Sequence, residues 1–463
     1  LFCLFLTGLP NFSMLACILQ IYYISGGSLM RKERVEIKKL GINGEGIGYI
    51  EKKICFIQDA LPGEIVDVEI IERTRQFTKG KVVRYIQKSP YRQPSVCKEY
   101  TNCQGCALTT LEYSKHLSFK KGLLKDALKK YTHFDVERLP IQKTIKAPET
   151  LHYRQVVSLP ITYFKGKVHA GIFQRETKYL TLMNQCSMQD SLINTCIQKI
   201  EDILNEHHVR DYNDKVKKGL RFMRMRNIDG QIQVLFVTGQ DGMKQEVIND
   251  ISQIPEVKSI WYTINTTRYQ QFEMQGYKKA YGQSYLPFHC FDQKYLYSIK
   301  SEFPVYPQME KIKLDTIRSL LSENSKILSL NCGIGLLELS LKQNIVAVDE
   351  KNYHIHDAKE NAKFLVKDNV QWICQNVHEA CIQQCKKNHF DEVIVRSSEL
   401  SDAFKQSFIL SKIKHIIYVS DHPSSLAKDL EELDKYYRIE KIIPIDTYPY
   451  SAKFDTVVSL IRK

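Results

Sequence analysis

The first 29 residues contain no charged side chain, no basic flank ahead of their apolar stretch and no small-residue cleavage signature. Export signals usually carry the last two features, so their absence argues against a secretory leader or a membrane anchor. Met30 instead opens a charged segment, RKERVEIKKL, that is typical of a domain start. We therefore expect a start codon assigned too early, residues 1–29 outside the folded protein, and a cytoplasmic location.

Acidic residues are in short supply, and no cysteine-dense module of the small disulfide-bonded type is present. The chain of 463 residues has 52 Asp and Glu against 66 Lys and Arg, a net charge of +14. Such an excess favours a polyanionic partner, and ribosomal RNA suits it better than a membrane does. Thirteen cysteines without disulfide modules indicate a reducing compartment, and 43% apolar content is ample for two to four domains.

Cysteine is grouped where it does occur. Three cysteines form a C-x5-C-x2-C run and a fourth follows in LMNQCSM; together they are Cys97, Cys103, Cys106 and Cys186. Four thiolates in this pattern can hold an iron–sulfur cluster. Zinc is the competing occupant, since four cysteines also suit a closed tetrahedral site. The spacing predicts a metal site and leaves the two open.

Segments of different periodicity divide the chain after Met30. We predict a small five-stranded β-barrel at 30–90, with turns at Asn43-Gly44, Pro62-Gly63 and Lys79-Gly80, then a cysteine-rich loop at 91–115. A central α+β region follows at 116–300, beginning with a helix over 116–132. Strands and helices alternate over 301–463, which predicts a Rossmann-like α/β sheet with ligands at the strand C-termini.

The first strand of this last region ends in Asn331-Cys332-Gly333-Ile334-Gly335, and the second ends in Asp349. The glycines let the backbone approach a cofactor, and an acid at the second strand suits ribose hydroxyls. No longer glycine-rich phosphate loop is present. S-adenosylmethionine is therefore favoured over a dinucleotide.

With these parts assembled, the chain after Met30 resembles the RNA uracil-5-methyltransferase family, in the group with a TRAM barrel and an iron–sulfur cluster that methylates 23S ribosomal RNA. The resemblance lies in GINGEGIGYI, SPYRQPSVCKEYTNCQGCAL, YRQVVSLP, ILSLNCGIGLLELSL, YVSDHPSSLAKDL and YPYSAKFDTVVSLIRK. It implies a 4Fe-4S cluster on the four cysteines, S-adenosylmethionine as methyl donor, and a monomer acting on ribosomal RNA rather than tRNA.

The catalytic positions depart from the family pattern. The family nucleophile, a cysteine in Y-V-S-C-N-P, corresponds to Asp421, and a carboxylate is a poor substitute for a thiolate that must add to a uracil ring. The family general base, a glutamate in H-x-E-T, corresponds to Asp455, whose side chain is shorter by one methylene.

The cofactor positions depart as well. Arg396 stands where the family has an acid, and Ser329 replaces the acid that precedes the glycines. The F-x-Q-x-N segment is assigned to Phe288–Asp292, which puts Cys290 in the place of the glutamine. The resemblance thus assigns cofactor contacts to Asn331, Gly333, Gly335, Asp349, Cys290 and Arg396.

Candidate RNA contacts are cationic residues of the barrel and one arginine of the YRQ segment: Arg73, Arg75, Lys79, Lys81, Arg84 and Arg154. Each of the barrel residues could equally be an ordinary solvated charge.

The function that the resemblance implies is that of an RNA uracil-5-methyltransferase, but Asp421 leaves two alternatives open. One is a methyltransferase whose acceptor is nitrogen or oxygen, which needs no covalent adduct; the other is a catalytically inactive RNA-binding protein of ribosome assembly.

Overall fold

The computed structural model describes residues 32–103, 105–173, 180–183, 185–267 and 275–463. The expectation for residues 1–29 lies outside the described residues. The chain divides into a first unit that ends at Arg92 and a second unit that spans Gln93–Lys463. No helix within the described ranges has the length and apolar character needed to cross a membrane.

The first unit is a curled antiparallel sheet with one parallel pair, in the strand order β1-β5-β6-β4-β3-β2. Its strands are β1 (Lys32–Glu36), β2 (Lys39–Leu40), β3 (Gly46–Ile50), β4 (Lys53–Gln58), β5 (Ile65–Arg73) and β6 (Phe77–Gln87). The sheet curls tightly enough that a Cβ on Gly48 would lie 2.2 Å from Val35 of β1.

The turn predicted at Lys79-Gly80 is wrong, because both residues lie inside β6. A Cβ on Gly80 would lie 2.2 Å from Val68 Cγ1, so this glycine permits close packing of β6 on β5 rather than a reversal of the chain. The predicted turns at Asn43-Gly44 and Pro62-Gly63 are present, with φ of 88° and 83° at the two glycines.

The second unit contains two seven-stranded sheets and a separate hairpin. It begins with α1 (Tyr100–Cys103) and α2 (Tyr113–Tyr131). The central sheet has the order β13-β12-β11-β10-β7-β8-β9, with strands β7 (Val156–Phe164), β8 (Lys167–Phe173), β9 (Leu180–Leu182), β10 (Leu220–Ile228), β11 (Gln231–Thr238), β12 (Val257–Ile264) and β13 (Lys278–Gly282). Helices α3 (Ser191–Glu206) and α4 (Gln245–Ser252) pack on it through an apolar cluster that includes Ile197 and Ile248.

The hairpin of β14 (Tyr285–Cys290) and β15 (Gln293–Ser298) precedes the C-terminal sheet. That sheet has the order β18-β17-β16-β19-β20-β22-β21: β16 (Lys326–Leu330), β17 (Asn344–Asp349), β18 (Val370–Cys374), β19 (Glu392–Arg396), β20 (His415–Ser420), β21 (Tyr437–Ile445) and β22 (Asp455–Arg462). Its helices are α5 (Pro307–Arg318), α6 (Leu336–Ser340), α7 (Asn352–Phe364), α8 (Val377–Lys387), α9 (Asp402–Leu410) and α10 (Pro423–Leu433).

The C-terminal sheet confirms the predicted Rossmann-like fold. The five neighbouring strands β18, β17, β16, β19 and β20 are parallel to one another. Strand β22 runs antiparallel to both β20 and β21. The strand order reverses between β16 and β19. In open α/β sheets the ligand crevice lies outside the carboxyl ends of the strands at this reversal, so the ends of β16 and β19 locate the site.

Candidate functional site

The loop after β16 passes from strand to helix through three residues with positive φ. Asn331, Gly333 and Gly335 have φ of 60°, 59° and 79°. A Cβ on Gly333 would meet no atom within 4 Å, whereas a Cβ on Gly335 would lie 2.3 Å from the Trp372 ring. Gly333 therefore leaves open space at the strand ends, and Gly335 is required by packing against β18.

A cavity of about 250 Å³ lies at this loop. It is lined by residues of the glycine loop, of β15 and β19, of the segment before α5, and of α5, α6 and α7: Tyr297, Glu302, Phe303, Pro304, Glu310, Leu314, Asn331, Cys332, Gly333, Ile334, Leu336, Leu337, His354 and Arg396. Three of the predicted cofactor residues, Asn331, Gly333 and Arg396, are thus brought together around one space.

Asp349 lies behind this lining and organises it. One carboxylate oxygen accepts the Gly333 N–H at 3.0 Å, and the other accepts from the Lys351 N–H at 2.9 Å and from His354 Nδ1 at 3.0 Å. Burial opposes ionisation, but these donors and the charge of His354 outweigh it and lower the pKa of Asp349. Asp349 is therefore an anion that fixes the glycine loop and the start of α7.

The charge introduced by Arg396 is neutralised inside the protein. Arg396 Nη2 lies 3.0 Å from Oε1 of the fully buried Glu338, and Ser329 Oγ donates to the same oxygen at 2.6 Å. Arg396 Nη1 also donates to the Asn331 carbonyl. A carboxylate from α6, Glu338, therefore lies beside Ser329, and the sequence pattern of the strands alone does not predict it.

Cys290 is placed elsewhere. It is buried at the end of β14 in the apolar core, and it is not among the residues that line the cavity. The segment that does line it, Glu302–Pro304, lies just before α5. The assignment of the family's F-x-Q-x-N segment to Phe288–Asp292 thus places Cys290 in the hairpin, apart from the residues that line the cavity, and a cofactor contact of Cys290 stays a prediction.

Asp421 and Asp455 lie at one end of the antiparallel pair β20–β22. The last paired residues are Ser420 and Thr456, so the two carboxylates follow next to each other in the register. Asp421 is exposed, and its Oδ1 accepts from Ser398 Oγ at 2.6 Å. The structure therefore brings together the two positions that the resemblance assigned to catalysis.

Asp455 is buried and ion-paired. Lys313 Nζ of α5 lies 2.9 Å from Asp455 Oδ2 and 2.7 Å from Glu310 Oε2. Burial raises the pKa of Asp455, the charge of Lys313 opposes the rise, and Glu310 and Asp421 add to it. Lys313 and Glu310 were missed from the sequence because nothing in α5 other than their i, i+3 spacing marks them.

The four cysteines lie in one region. Burial raises the pKa of Cys106 to about 11, the charge of Arg154 opposes the rise, and Cys186, Cys103 and Cys97 add to it. Arg154 Nη2 points at Cys106 Sγ at 3.8 Å. In number and chemistry these thiols fit the donor set of an iron–sulfur cluster. As they stand, however, no three His, Cys, Asp or Glu side chains of the described residues, all four cysteines included, are grouped closely enough to hold a metal ion.

The predicted RNA contacts fall into two groups. Arg154 is half-buried against Cys106, so its placement fits the cysteine region rather than an open RNA surface. In the first unit Arg84 pairs with Asp67 at 2.7 Å and Lys79 with Glu72 at 3.1 Å, and Arg73 lies 3.9 Å from Glu51. The remaining two, Arg75 and Lys81, are exposed and have no ion-pair partner in the described part of the chain.

Two family models match the chain. One describes a TRAM domain and matches residues 30–83; the other describes a tRNA (uracil-5-)-methyltransferase and matches residues 112–463.

Similar proteins cover nearly the whole chain. An uncharacterized RNA methyltransferase of Streptococcus agalactiae is 28% identical over 94% of this chain and 100% of its own length. One of Bacillus cereus is 30% identical over 93% of this chain and 96% of its own. The crystal structure of Pyrococcus abyssi tRNA (uracil-54, C5)-methyltransferase with S-adenosyl-L-homocysteine is 22% identical and covers 94% of this chain and 100% of its own, with a TM-score of 0.74, which shows that the fold is shared.

Proposed function

The chain belongs to the tRNA (uracil-5-)-methyltransferase family, and we propose that it transfers a methyl group from S-adenosylmethionine to ribosomal RNA. The observation that carries the proposal is the cavity at the ends of β16 and β19, with Asn331, Gly333 and Arg396 on its wall and Asp349 behind it. This is where an adenosine-containing ligand binds in open α/β sheets. Ribosomal RNA is preferred over tRNA on the resemblance of the TRAM and cysteine-rich segments, and the protein is proposed to act as a cytoplasmic monomer.

The acceptor is proposed to be a nitrogen or hydroxyl oxygen of the RNA rather than C5 of uracil. C5 methylation needs a nucleophile on the ring, and Asp421 is a poor one. A nitrogen or hydroxyl acceptor needs only positioning and removal of one proton. The exposed Asp421, oriented by Ser398, is suited to take that proton. When bound, S-adenosylmethionine would supply an electrophilic methyl group, and Asn331, Gly333 and Arg396 would hold it.

A catalytically inactive RNA-binding protein is the second candidate, and the state of Asp455 favours it. This carboxylate, at the family's general-base position, is already paired with Lys313 and buried. Because Lys313 Nζ already occupies Oδ2 of this carboxylate, a proton from the RNA would have to compete with an ammonium group for it. The surface of the first unit would then retain RNA while no methyl group is transferred.

The deciding experiment measures methyl transfer and cofactor binding together. Anaerobically purified protein is titrated with S-adenosylmethionine and S-adenosylhomocysteine by calorimetry, then incubated with unmodified ribosomal RNA and radiolabelled methyl donor. Nucleoside digestion identifies the methylated atom. We expect micromolar binding and an N- or O-methylated nucleoside; 5-methyluridine would contradict the proposed acceptor, and binding without transfer would favour the inactive protein.

Two variants test the role of Asp421 in this assay. Asp421→Asn should abolish transfer while leaving S-adenosylhomocysteine binding unchanged, because it removes the base and keeps the side-chain shape. Asp368→Asn is the matched control on an exposed loop residue. Equal loss in both variants would point to a general defect rather than to the base.

Cys97, Cys103, Cys106 and Cys186 are proposed to bind a 4Fe-4S cluster that orders the loop after Arg92, with zinc as the competing occupant. Iron, sulfide and zinc are measured on anaerobically purified protein. We expect about four iron and four sulfide per chain, and loss of both in Cys186→Ser but not in Cys374→Ser, an exposed cysteine outside the group. Stoichiometric zinc without iron would replace the cluster assignment.

The proposed domains are a TRAM barrel at 30–90, a cysteine-rich loop at 91–115, a central α+β domain at 116–300 and the methyltransferase domain at 301–463. Two elements argue for a revised boundary. Leu124 of α2 packs in the core of the C-terminal sheet, and Tyr295 of β15 shares a core cluster with Leu337 of α6. Limited proteolysis that releases a fragment beginning near residue 284 rather than 301 would support the revision.

A further inference from the structure

A second cavity, of about 520 Å³, lies at one end of the central sheet and is lined by none of the residues that the resemblance assigned to a site. Its walls come from the segment between α3 and β10 and from the segment between β11 and α4. It has about twice the volume of the cavity at the glycine loop. Pockets for small organic ligands measure roughly 300 to 1,000 Å³, so this one has room for a nucleotide.

This second cavity, here named the distal cavity, is far from the proposed site of methyl transfer. It is lined by Leu220 at the start of β10, which pairs with Thr238 at the end of β11. The opposite ends of these two strands meet at a turn, where Asp229 accepts the backbone N–H of His289 in the hairpin β14–β15. That hairpin also contributes to the wall of the cofactor cavity. With about 3.3 Å per residue, β10 separates its two ends by roughly 26 Å.

Three positively charged side chains on the wall of the distal cavity are available to a ligand. Arg210, Lys218 and Lys244 are all exposed, and none of them has an ion-pair partner in the described part of the chain. Lys218 and Lys244 belong to different wall segments, one before β10 and the other before α4. Unpaired ammonium and guanidinium groups are the usual partners of phosphate.

The two carboxylates of the same wall are occupied by the protein itself. Asp211 Oδ2 accepts the Tyr163 N–H at 3.1 Å, and the two oxygens of Asp241 accept the Gly219 N–H at 3.0 and 3.2 Å. Gly219 has a φ of 101°, and a Cβ there would lie 2.2 Å from the Asp211 carbonyl oxygen. These contacts fix the wall segments, so the shape of the distal cavity is set before a ligand binds.

One cation of the wall also forms a flat surface. The guanidinium carbon of Arg210 lies 3.9 Å from the centroid of the Tyr163 ring, so the two planar groups are in contact. Arg210 is exposed, and its other face is therefore accessible from the cavity. Val216, which is 59% exposed, and Met243 add apolar surface to the same wall. Unstacked RNA bases stack on arginine planes and aromatic rings of this kind.

We propose that the distal cavity binds one unstacked nucleotide of the RNA substrate, at some distance along the strand from the nucleotide that is methylated. The base stacks on Arg210, and Lys218 and Lys244 bind the neighbouring phosphates. The inference rests on the proposed function, since it assumes an RNA substrate. A stacking surface combined with unpaired cations is what single-stranded RNA requires of a binding site. At roughly 26 Å from the turn at the other end of β10, this nucleotide contributes to the choice of RNA and takes no part in the transfer step.

A free nucleotide offers the same base and phosphate as one nucleotide of an RNA strand. RNA is favoured because the three cations are exposed and lie on two wall segments, which leaves the cavity open for a strand to enter and leave. The net charge of +14 supports the same choice. The test therefore includes both ligands.

Arg210→Lys tests the stacking surface, because it keeps the positive charge and removes the planar group. Binding of a fluorescent ribosomal RNA fragment to the full chain is measured by anisotropy over a series of salt concentrations. We expect the affinity to fall about fivefold or more, as for the loss of one stacked base, with the salt dependence unchanged. S-adenosylhomocysteine binding, measured by calorimetry, should stay as in the wild type.

Lys218→Gln combined with Lys244→Gln tests the phosphate contacts. Two contacts on single-stranded RNA should reduce the slope of log affinity against log salt concentration by about 1.4. The control combines Lys342→Gln with Lys386→Gln, two exposed lysines without an ion-pair partner among the described residues, which precede β17 and β19. They lie at the edge of the C-terminal sheet opposite the carboxyl ends of its parallel strands, and the slope should not change.

The possible failures are distinct. A wild type that binds no ribosomal RNA overturns the proposed function and this inference together. Wild-type binding of RNA and S-adenosylhomocysteine, with neither Arg210→Lys nor the Lys218 and Lys244 double variant altered, overturns the inference alone. An equal loss in the Lys342 and Lys386 control also overturns it, because RNA would then respond to net charge and not to this cavity.

The free-nucleotide arm uses the four nucleoside 5′-monophosphates and calorimetry. Binding of one of them that is lost in Arg210→Lys, while RNA binding is unchanged, would assign the cavity to a free nucleotide and overturn the proposal. If Arg210→Lys does not fold, the double variant of Lys218 and Lys244 decides the matter, because both side chains are exposed and free of ion pairs within the described ranges.

Discussion

At the residue scale, the absence of a thiol at position 421 is open to direct chemical test. Asp421→Cys should restore a nucleophile at the end of β20, where Ser398 already orients the side chain. With S-adenosylmethionine present, we expect the variant, but not the wild type, to form a covalent complex with RNA that contains 5-fluorouridine, because after methylation C5 carries fluorine in place of the proton whose removal would release the thiol. The complex is measured as a band that resists denaturing electrophoresis.

Asp368→Cys is the control for non-specific thiol reaction, since it puts a thiol on an exposed loop away from β20. No complex with Asp421→Cys would mean that more than the nucleophile has changed. Lys313, which pairs with Asp455, is then the next residue to alter.

His354 gives the folded state a pH-dependent stability. Burial opposes its charge, but hydrogen bonds to Asp349 and Glu302 and the charges of these groups raise its pKa to about 9, from 6.5. Because the folded-state pKa is the higher one, this stabilisation is complete below about pH 6.5 and is lost as pH rises through about 9. The difference corresponds to at most about 3 kcal/mol. The free energy of unfolding of the wild type should thus fall by about 2 to 3 kcal/mol more between pH 6.5 and 9.5 than that of His354→Gln.

Urea denaturation at a series of pH values measures this difference. His356→Gln, on the exposed side of the same helix, controls for loss of a histidine as such. Parallel curves for wild type and His354→Gln would show that the ring is not held as a cation.

The sequence predicts some residues of the candidate site and misses others. Asn331, Gly333 and Arg396 line the cavity that the strand pattern predicts, because a residue that follows a parallel strand must emerge at the carboxyl edge of the sheet. Glu302, His354, Glu338 and Lys313 were not predicted. Their partners lie on other elements, and such pairs follow from the way the helices pack on the sheet.

At the scale of elements, the two glycines of the loop after β16 serve different ends and should respond differently to alanine. Gly335→Ala combines a positive φ with a Cβ 2.3 Å from Trp372, so we expect about 3 kcal/mol of destabilisation. Gly333→Ala has a positive φ but free space around its Cβ. It should cost only about 1 kcal/mol and should still weaken S-adenosylhomocysteine binding, because the new methyl group enters the cavity.

Gly166→Ala isolates the conformational cost alone, since its φ is 87° and its Cβ would meet nothing within 4 Å. Urea denaturation and calorimetry on the three variants separate stability from binding. If Gly335→Ala and Gly166→Ala lower the free energy of unfolding equally, the contact of the new Cβ with Trp372 does not contribute to the cost.

The strand and helix pattern of the C-terminal region was predictable because each parallel strand is an apolar run between amphipathic helices. The same pattern says less about the hairpin Tyr285–Ser298, whose alternating residues suit any two-stranded ribbon. Sequence comparison therefore put the F-x-Q-x-N segment there, in a stretch that ends 10 residues before the Glu302–Pro304 segment at the cavity. Local periodicity identifies an element but not which neighbour it packs against.

At the scale of the whole molecule, the net charge of +14 implies a salt-dependent interaction with RNA. Only a positive side chain that is not already ion-paired can replace a counterion on an RNA phosphate at little cost. In the first unit, Arg75 and Lys81 are exposed and lack an ion-pair partner within the described ranges, whereas Lys79 and Arg84 are paired with Glu72 and Asp67.

Neutral variants of Arg75 with Lys81, and of Lys79 with Arg84, are the better probe, because they remove a positive charge without adding a negative one. Each phosphate contact on single-stranded RNA contributes about 0.7 to the slope of log affinity against log salt concentration. Arg75→Gln with Lys81→Gln should therefore reduce the slope by about 1.4, measured by fluorescence anisotropy on a ribosomal RNA fragment. Lys79→Gln with Arg84→Gln removes the same formal charge but should reduce the slope by less, because Glu72 and Asp67 already offset it. Equal reductions would show that RNA phosphates displace Glu72 and Asp67 from Lys79 and Arg84. No reduction in either variant would assign RNA binding to the second unit.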